Sequence, residues 1–257
     1  MGRSGNVPPM RTLIVVPTFE EATNVEPFLV AIRDAVPTAD ILIVDDNSPD
    51  GTADLAEKAG AELGQVKVLR RPKKDGLGNA YRAGFGVGMD EGYETLVQMD
   101  VDFSHDPAQV PAMLAKIDEG AGVVIGSRYV PGGSTPHWPW YRRALSKWGN
   151  RYAGVMLGIP IRDATSGFRA YRGEVLRDIH FQDTVANGYA FQMEVAYLLS
   201  KWGGPVQELP IEFTDRVRGT SKMSAYIMAE DMLLVTWWGI RDRALKLWRL
   251  LPFARRA

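Results

Sequence analysis

The first half of this 257-residue chain alternates short apolar runs with helical patterns, and this rhythm restricts the fold more than any other feature. The apolar runs are rich in Val, Ile and Leu and nearly continuous, which is typical of strands covered on both faces. Strand, helix, strand in this order predicts an α/β fold with a mostly parallel sheet flanked by helices. We expect strands at 12–18, 40–46, 66–71, 95–100 and 122–128, and helices at 24–35, 51–63, 78–90 and 107–118.

After residue 130 the rhythm changes. Helices are expected at about 141–157 and 189–202, a strand at 206–213, and a long apolar-basic helix from about 225. No linker or internal repeat interrupts the chain. We therefore expect a disordered tail at 1–11, one α/β domain over 12–225 and a C-terminal amphipathic helix over 226–257.

Composition excludes several classes of protein. Thirty basic and 31 acidic residues nearly cancel, which argues against a nucleic-acid partner. The absence of cysteine excludes disulfides and thiolate metal sites. No stretch approaches the roughly 18 uncharged apolar residues that span a bilayer. The polar start lacks the apolar core of a secretion signal.

Polar side chains follow the ends of four predicted strands, in "PTFEE", "VDDNSPDG", "MDVDFSH" and "GSRY". In parallel sheets, ligands bind at this edge. Asp100 and Asp102 stand at i and i+2, so an extended backbone would project both carboxylates from one face. Paired carboxylates at a strand end favour a divalent cation between them.

Two common phosphate-binding sequences are missing. No G-x-G-x-x-G follows the first predicted strand, and no G-x-x-x-x-G-K-[ST] occurs anywhere. The diphosphate of a bound nucleotide would have to be neutralised in another way. A cation held by Asp100 and Asp102 would do so.

Nine colinear segments carry a family resemblance over roughly residues 12–225. They are "PTFEEATN", "IVDDNSPDGT", "GLGNAYRAGF", "MDVDFSHDP", "GSRYVPGG", "WPWYRR", "TSGFRAYR", "GYAFQMEV" and "DRVRGTSKM". Together they resemble the polyprenol (dolichol) phosphate mannose synthases, inverting family 2 glycosyltransferases of GT-A fold.

The resemblance implies transfer of mannose from GDP-mannose to polyprenyl phosphate, with Mg²⁺ or Mn²⁺ as cofactor, on the cytoplasmic face of a membrane. Asp100 and Asp102 would hold the metal, with Val101 between them touching the nucleotide. Arg128 and Arg142 would face sugar and phosphates, while Arg218 and Lys222 would close over the phosphates. The implied nucleoside pocket is lined by Pro17, Phe19, Glu21, Val44 and Asp46.

The chain departs from the family pattern at two places. Glu20-Glu21 stands where relatives usually have Asn-Glu. Ser104 stands where some relatives have a metal-contacting Gln, and its hydroxyl would reach a metal through water.

Several individual residues keep two interpretations. Asp45 is either a ligand or a turn acid. His105 is expected to support the metal site rather than to bind the ion. Glu194 needs a partner if buried, either an arginine of the site or the sugar. Trp138 and Trp140 either pack in the core or form part of an acceptor lid.

The C-terminal segment also has two interpretations. Residues 239–257 contain six basic residues and one acid, and one apolar stripe runs along the predicted helix. The helix either packs on its own domain or lies on an anionic bilayer, where it could also dock a membrane protein. The stripe comprises Ile240, Ala244, Leu247, Trp248 and Leu251.

Two other functions remain open at this point. A related enzyme could transfer glucose or another sugar to polyprenyl phosphate with the same core. A non-catalytic module could bind a sugar nucleotide without turnover, although the intact Asp100 and Asp102 argue against it.

Overall fold

The computed structural model describes residues 10–188, 190–215 and 225–250, and in the last helix it describes the side chains of 232–244 and 248. The strands are β1 (Thr12–Thr18), β2 (Asp40–Asp45), β3 (Val66–Arg70), β4 (Thr95–Gln98), β5 (Val123–Ser127), β6 (Arg169–Arg172) and β7 (Val206–Pro210). The helices are α1 (Val25–Ala35), α2 (Thr52–Leu63), α3 (Leu77–Asp90), α4 (Val110–Asp118), α5 (Trp140–Leu157), α6 (Gly173–Asp178), α7 (Ala190–Trp202) and α8 (Ala225–Leu250).

The seven described strands form one sheet in the order β3-β2-β1-β4-β6-β5-β7. β1, β2, β3 and β4 run parallel, and β5 pairs parallel with β7. β6 lies between β4 and β5 and is antiparallel to both. The predicted α/β fold with a mostly parallel sheet flanked by helices is confirmed.

The core has two layers because the sheet is covered on both faces. Leu13, Val15 and Leu42 belong to one buried cluster, and Ile14 and Val16 belong to the other. Alternate residues of one strand therefore enter opposite layers, which explains why β1 is continuously apolar from Leu13 to Val16.

Two elements differ from the sequence-based expectation. Strand β6 and helix α6, which follows it, were not predicted from the sequence. β6 contains Arg169 and Arg172, and both arginines donate to main-chain carbonyls in the interior. Tertiary hydrogen bonds thus permit a charged sequence to form an internal strand, which local propensity does not register.

The predicted disordered tail at 1–11 includes Arg11, which makes defined contacts with the domain. Arg11 donates to the main chain of Glu91 at 2.7 Å and lies 4.0 Å from the ring centre of Tyr93. Its own main-chain N–H bonds the carboxylate of Glu94. Residues 1–9 lie outside the described part of the chain.

Candidate active site

A cavity of about 490 Å³ opens beyond the carboxyl ends of β4 and β5. One end is polar and contains five residues that the sequence had assigned to the site. The other end is apolar and is formed mainly by α5, α7 and α8. The polar five are Asp100, Asp102, Ser104, Arg128 and Arg142. The apolar end includes Leu145, Trp148, Tyr152, Met193, Met232 and Val235.

The two carboxylates lie on a loop rather than on an extended strand. β4 ends at Gln98, and Phe103 has a left-handed φ of 60° that turns the chain back. Asp102 is buried, and its Oδ1 accepts a hydrogen bond from the Ser104 N–H at 3.0 Å. The strand is shorter than predicted, but both carboxylates still line the same cavity.

Tyr81 lies next to the first carboxylate. Its hydroxyl donates to Asp100 Oδ1 at 3.3 Å. Burial, together with the charge of Asp100, raises the pKa of Tyr81 well above its ordinary value. The phenol therefore stays protonated and serves as a donor that orients Asp100.

The donor set of this end fits a divalent cation that also binds a ligand. Within the described residues, no cluster of three or more His, Cys, Asp or Glu side chains could enclose a metal ion. Two carboxylates supply hard oxygen ligands, and diphosphate oxygens and water would complete the coordination. Asp106, the third acid of the motif, instead caps the following short helix by accepting from the Ala108 N–H.

His105 is a buried, neutral member of the cavity wall. Its ring stacks on Phe168 with centroids 5.1 Å apart and meets the edge of Phe213. Burial lowers the pKa of His105 to about 4, against the opposing charge of Asp102. Its aromatic packing agrees with the expected supporting role.

The two arginines of the cavity have different partners. Arg128 is bound to the buried carboxylate of Asp163, and its Nη2 also donates to Thr165 Oγ1 at 2.7 Å. Arg142 forms a half-exposed ion pair with Asp215 at 2.8 Å. Among the described residues, the side-chain bonds of Arg128 occupy Nε and Nη2 but not Nη1.

The predicted nucleoside residues lie at the carboxyl ends of β1 and β2 or in the loops that follow, outside the cavity lining. Pro17 and Val44 are paired in the β1–β2 register. Lys74 Nζ lies 3.9 Å from the ring centre of Phe19. Asp46 accepts from Arg71 at 2.5 Å. Burial raises the pKa of Asp46 even though Arg71 acts to lower it.

The remaining two predicted nucleotide contacts are partly engaged within the protein. Glu21 accepts from Asn24 Nδ2 at 2.7 Å. The side chain of Val101 packs in the core cluster behind the sheet edge. A nucleotide contact from Val101 would therefore come from its main chain. Arg218 and Lys222 lie outside the described residues.

The structure shows the hydrogen-bond partners of two residues whose role the sequence left open. Asp45 accepts from Thr18 Oγ1 at 3.0 Å and from Ser48 Oγ at 2.6 Å, which is the pattern of a turn acid. Glu194 accepts from the N–H groups of Val185 and Ala186. It therefore holds a loop, and these main-chain donors satisfy its carboxylate without either of the two expected partners, an arginine of the site or the sugar.

The two tryptophans whose role the sequence left open, Trp138 and Trp140, lie in different environments. Trp138 is buried, lines the cavity and donates from Nε1 to Asp215 at 3.1 Å. Trp140 is 79% exposed at the start of α5.

Sequence reasoning missed several residues around the site. The basic run "RRPKK" after β3 is a signal that could have pointed to Arg71 and Lys74. Asp163 gave no such signal, because it lies in a segment with no distinctive local pattern. Gln192 lies in the segment "GYAFQMEV", but that motif alone did not indicate a role for its side chain. Their roles depend on contacts between distant parts of the chain.

Comparison with known proteins gives consistent matches. A family model described as Glycosyl transferase family 2 matches residues 13–180. The polyprenol monophosphomannose synthase of Mycolicibacterium smegmatis is 46% identical over 237 residues, which cover 92% of this chain and 89% of that protein. The undecaprenyl-phosphate mannosyltransferase of Micrococcus luteus is 45% identical over 234 residues, covering 91% of this chain and 96% of that protein.

Solved structures with lower sequence identity share the fold. Glucosyl-3-phosphoglycerate synthase from Mycobacterium tuberculosis, crystallised with Mn²⁺, UDP and glucosyl-3-phosphoglycerate, gives a TM-score of 0.63 at 17% identity over 88% of this chain and 77% of its own. A mannosyltransferase from Pyrobaculum calidifontis, in complex with GDP-Man and Mn²⁺, gives 0.59 at 14% identity over 93% of this chain and 65% of its own. At these identities the likeness establishes the GT-A type of sheet and not the substrate.

Proposed function

The chain belongs to glycosyl transferase family 2, and on that premise we propose that it transfers mannose from GDP-mannose to polyprenyl phosphate. The product is polyprenyl β-mannosyl phosphate, formed with inversion at the sugar. The observation that carries this proposal is the 46% identity to a polyprenol monophosphomannose synthase over nearly the whole chain.

The two-ended cavity supports the choice of acceptor. A polyprenyl phosphate has an anionic head and a long apolar tail. The polar end of the cavity contains Asp100, Asp102 and Arg128, and the apolar end lies between α5 and α8. The phosphate would lie beside the carboxylate-bound cation, with the isoprenoid leaving along the two helices.

The reaction follows from the charge of the acceptor. A phosphate monoester is ionised near neutral pH, so one of its oxygens attacks C1 of mannose directly. The bond between C1 and the oxygen of the β-phosphate breaks, and GDP leaves with the electron pair. No proton has to be removed from the nucleophile, so a general base is not required.

The residues of the site then position the reactants and stabilise charge. A Mg²⁺ or Mn²⁺ ion held by Asp100 and Asp102, with Ser104 acting through water, would neutralise the departing diphosphate. Arg128 and Arg142 would bind sugar and phosphates from the opposite wall. Arg218 and Lys222 would close over the phosphates from their polar loop.

The nucleoside part of the donor has its own set of residues in this proposal. It would bind at the carboxyl ends of β1 and β2, beside the main chain of Val101. Arg71 and Lys74 add positive charge at that edge. The proposed lining consists of Pro17, Phe19, Glu21, Val44 and Asp46.

The surface of α5 and α8 supports a peripheral membrane location. Among the described residues, eleven large hydrophobic side chains are exposed, and nine belong to these two helices. Basic side chains, including Lys147 and Arg241, accompany them. Every described helix is too short or too polar to span a bilayer. The nine are Trp140, Tyr141, Leu145, Trp148, Val155, Leu233, Trp237, Ile240 and Trp248.

We place this surface on the anionic cytoplasmic leaflet, where basic residues contribute about 1 kcal/mol each near the headgroups. The same location would permit contact with a membrane-protein partner through the C-terminal helix. α8 also packs on its own domain, since Tyr152 and Thr236 share a hydrogen bond of 2.6 Å and Lys201 pairs with Asp242.

One assay separates the proposed function from its alternatives. The protein is incubated with GDP-mannose, UDP-glucose and other nucleotide sugars in turn, each with Mg²⁺ or Mn²⁺ and a short polyprenyl phosphate. We expect mannose alone to reach the lipid fraction. Transfer of glucose would identify the sister activity, and binding of a nucleotide sugar without transfer to any acceptor would identify a binding module.

A further inference from the structure

Gln192 is a buried amide whose side chain forms no hydrogen bond within the described part of the chain. It stands in the first turn of α7, is 3% exposed and lines the cavity. Among the described residues, neither its Nε2 nor its Oε1 has a hydrogen-bond partner. Leaving a buried amide unpaired costs about 1–3 kcal/mol, so its position calls for a ligand.

Gly167 shows what surrounds this amide. A Cβ added at Gly167 would lie 3.6 Å from Gln192 Nε2, 3.7 Å from Asp100 Oδ2 and 3.9 Å from Gln98 Nε2. Gln98 Oε1 accepts from the Tyr171 hydroxyl at 3.2 Å, which directs its NH₂ group to the same side. Two amides and one carboxylate therefore lie around the point where a side chain at residue 167 would begin.

A buried guanidinium fixes this arrangement. Arg169 donates from Nε to the Ser166 carbonyl at 2.9 Å, and from Nη2 to the carbonyls of Ala164 and Gln192 at 2.8 and 3.1 Å. It thereby ties the loop that carries Gly167 to the first turn of α7. The amide of Gln192 is thus held on a rigid main chain.

Charge indicates which ligand group would bind there. Gln192 lines the same cavity as Asp100 of the polar motif and Met232 of α8. The first turn of a helix carries the positive end of the helix dipole and favours an anion. A neutral amide can donate to an anionic oxygen, whereas a carboxylate at this position would repel it.

We propose that Gln192 is an acceptor-binding residue that donates from Nε2 to a non-bridging oxygen of the polyprenyl phosphate. This inference rests on the proposed function, because it requires an anionic lipid acceptor. In this arrangement the amide orients the phosphate toward the sugar while the isoprenoid chain runs on between α5 and α8.

The test compares Gln192→Glu, which keeps the shape and adds a negative charge, with the unaltered protein. We expect the KM for a short polyprenyl phosphate to rise at least tenfold and the KM for GDP-mannose to stay within twofold. Gln207→Glu is the matched control, because it makes the same change on β7 outside the cavity lining and should leave both constants unchanged.

A second variant guards against misfolding. Gly167→Ala places a methyl group at ordinary contact distance from its neighbours and inside the proposed phosphate space. It should also raise the acceptor KM while the melting temperature stays within a few degrees.

The possible outcomes separate the role of Gln192 from the proposed function of the protein. Unchanged acceptor KM in both variants, or a rise confined to the KM for GDP-mannose, overturns the role of Gln192 and leaves the proposed function standing. Unaltered protein that transfers nothing to polyprenyl phosphate overturns both.

Discussion

Arg128 donates from Nε and Nη2 to the two carboxylate oxygens of Asp163, at 2.8 and 2.6 Å, and its main-chain N–H donates to the same carboxylate at 2.9 Å. The side chain of Arg128 is 9% exposed and that of Asp163 is fully buried. The pair joins the end of β5 to the loop before β6. One wall of the cavity therefore depends on an ion pair removed from water.

Asp163→Asn should destabilise the fold strongly. The substitution leaves the guanidinium of Arg128 buried without a counter-charge, and breaking a buried pair in this way costs about 3–5 kcal/mol. The free energy of unfolding, measured by urea titration at neutral pH, checks this. Asp215→Asn is the control, since its pair with Arg142 is half-exposed and should be worth less than about 1 kcal/mol. Equal losses in the two variants would contradict the buried character of the first pair.

The same ion pair predicts that the free energy of unfolding decreases at acid pH. Burial acts to raise the pKa of Asp163, but the charge and hydrogen bonds of Arg128 lower it below its ordinary value of 3.8. A carboxyl group whose pKa is lower in the folded state stabilises the fold above its unfolded pKa. That contribution is lost as the pH falls through the folded pKa. Unfolding curves of the unaltered protein should therefore show a loss below about pH 4 that Asp163→Asn lacks. Parallel acid declines in the two proteins would count against this assignment.

Asp102→Asn should remove most turnover and keep the fold. An asparagine oxygen can still accept from the Ser104 N–H, so the loop remains in place while one ligand charge is lost. Turnover and melting temperature should be measured together, and EDTA should inhibit the unaltered protein reversibly. Asp106→Asn, which changes the capping acid of the same motif, is expected to retain turnover. Activity of the unaltered protein without any divalent ion would refute the metal assignment.

Arg218→Lys should lower turnover although the charge is kept. A guanidinium binds phosphate through two parallel hydrogen bonds, which an ammonium group cannot reproduce. Steady-state rates with GDP-mannose and polyprenyl phosphate measure the effect. Normal rates in both Arg218→Ala and Lys222→Ala would show that this loop does not hold the phosphates.

The α5–α8 surface should bind anionic vesicles through its exposed aromatic and aliphatic side chains. Trp237→Glu combined with Ile240→Glu places two negative charges on it and should reduce co-sedimentation with phosphatidylglycerol vesicles at least several-fold. Val30→Glu, at a 48% exposed position on α1, is the matched control. Loss of binding in the control as well, or in neither, would exclude this surface as the contact.

Deletion of residues 240–257 tests the same surface less cleanly. Asp242 pairs with Lys201, and Arg243 donates to the Val155 carbonyl. The truncation would therefore also remove contacts that hold α8 to its domain. Two large members of the predicted stripe, Ile240 and Trp248, are exposed on the outer face of α8. Leu251 lies outside the described residues.

The sequence predicted those parts of the fold that local patterns determine. Strand β1 has the bounds that its apolar run predicts, because Leu13 to Val16 alternate between the two core layers. β4 ends two residues early, since the chain turns at the acidic motif to bring both carboxylates into the cavity. Strand boundaries beside a site are set by such tertiary requirements, which periodicity does not reveal.

The candidate site also contains residues that motifs predicted and residues that only the structure identifies. Asp100, Asp102, Arg128 and Arg142 were identified from motifs and do line one cavity. Asp163 is recognised only once it faces Arg128 across 35 positions of sequence. Gln192 lies in a quoted motif, but its side chain stands out only through its burial and its lack of a hydrogen-bond partner among the described residues. Complementary pairs and orphaned groups are properties of the assembled molecule.

The antiparallel strand β6 has a consequence for how this protein is made. It pairs with β4, which begins 74 residues earlier at Thr95, and with β5, which begins at Val123. In a chain emerging from the ribosome, the edges of β4 and β5 that pair with β6 thus stay unpaired until Arg172 has been synthesised. Such long-range pairing slows folding and leaves aggregation-prone strand edges exposed until it is complete. The segment that contains β6 also delivers Asp163 and Gly167, so this wall of the cavity should form in the same late step as the pairing of β6 with β4 and β5.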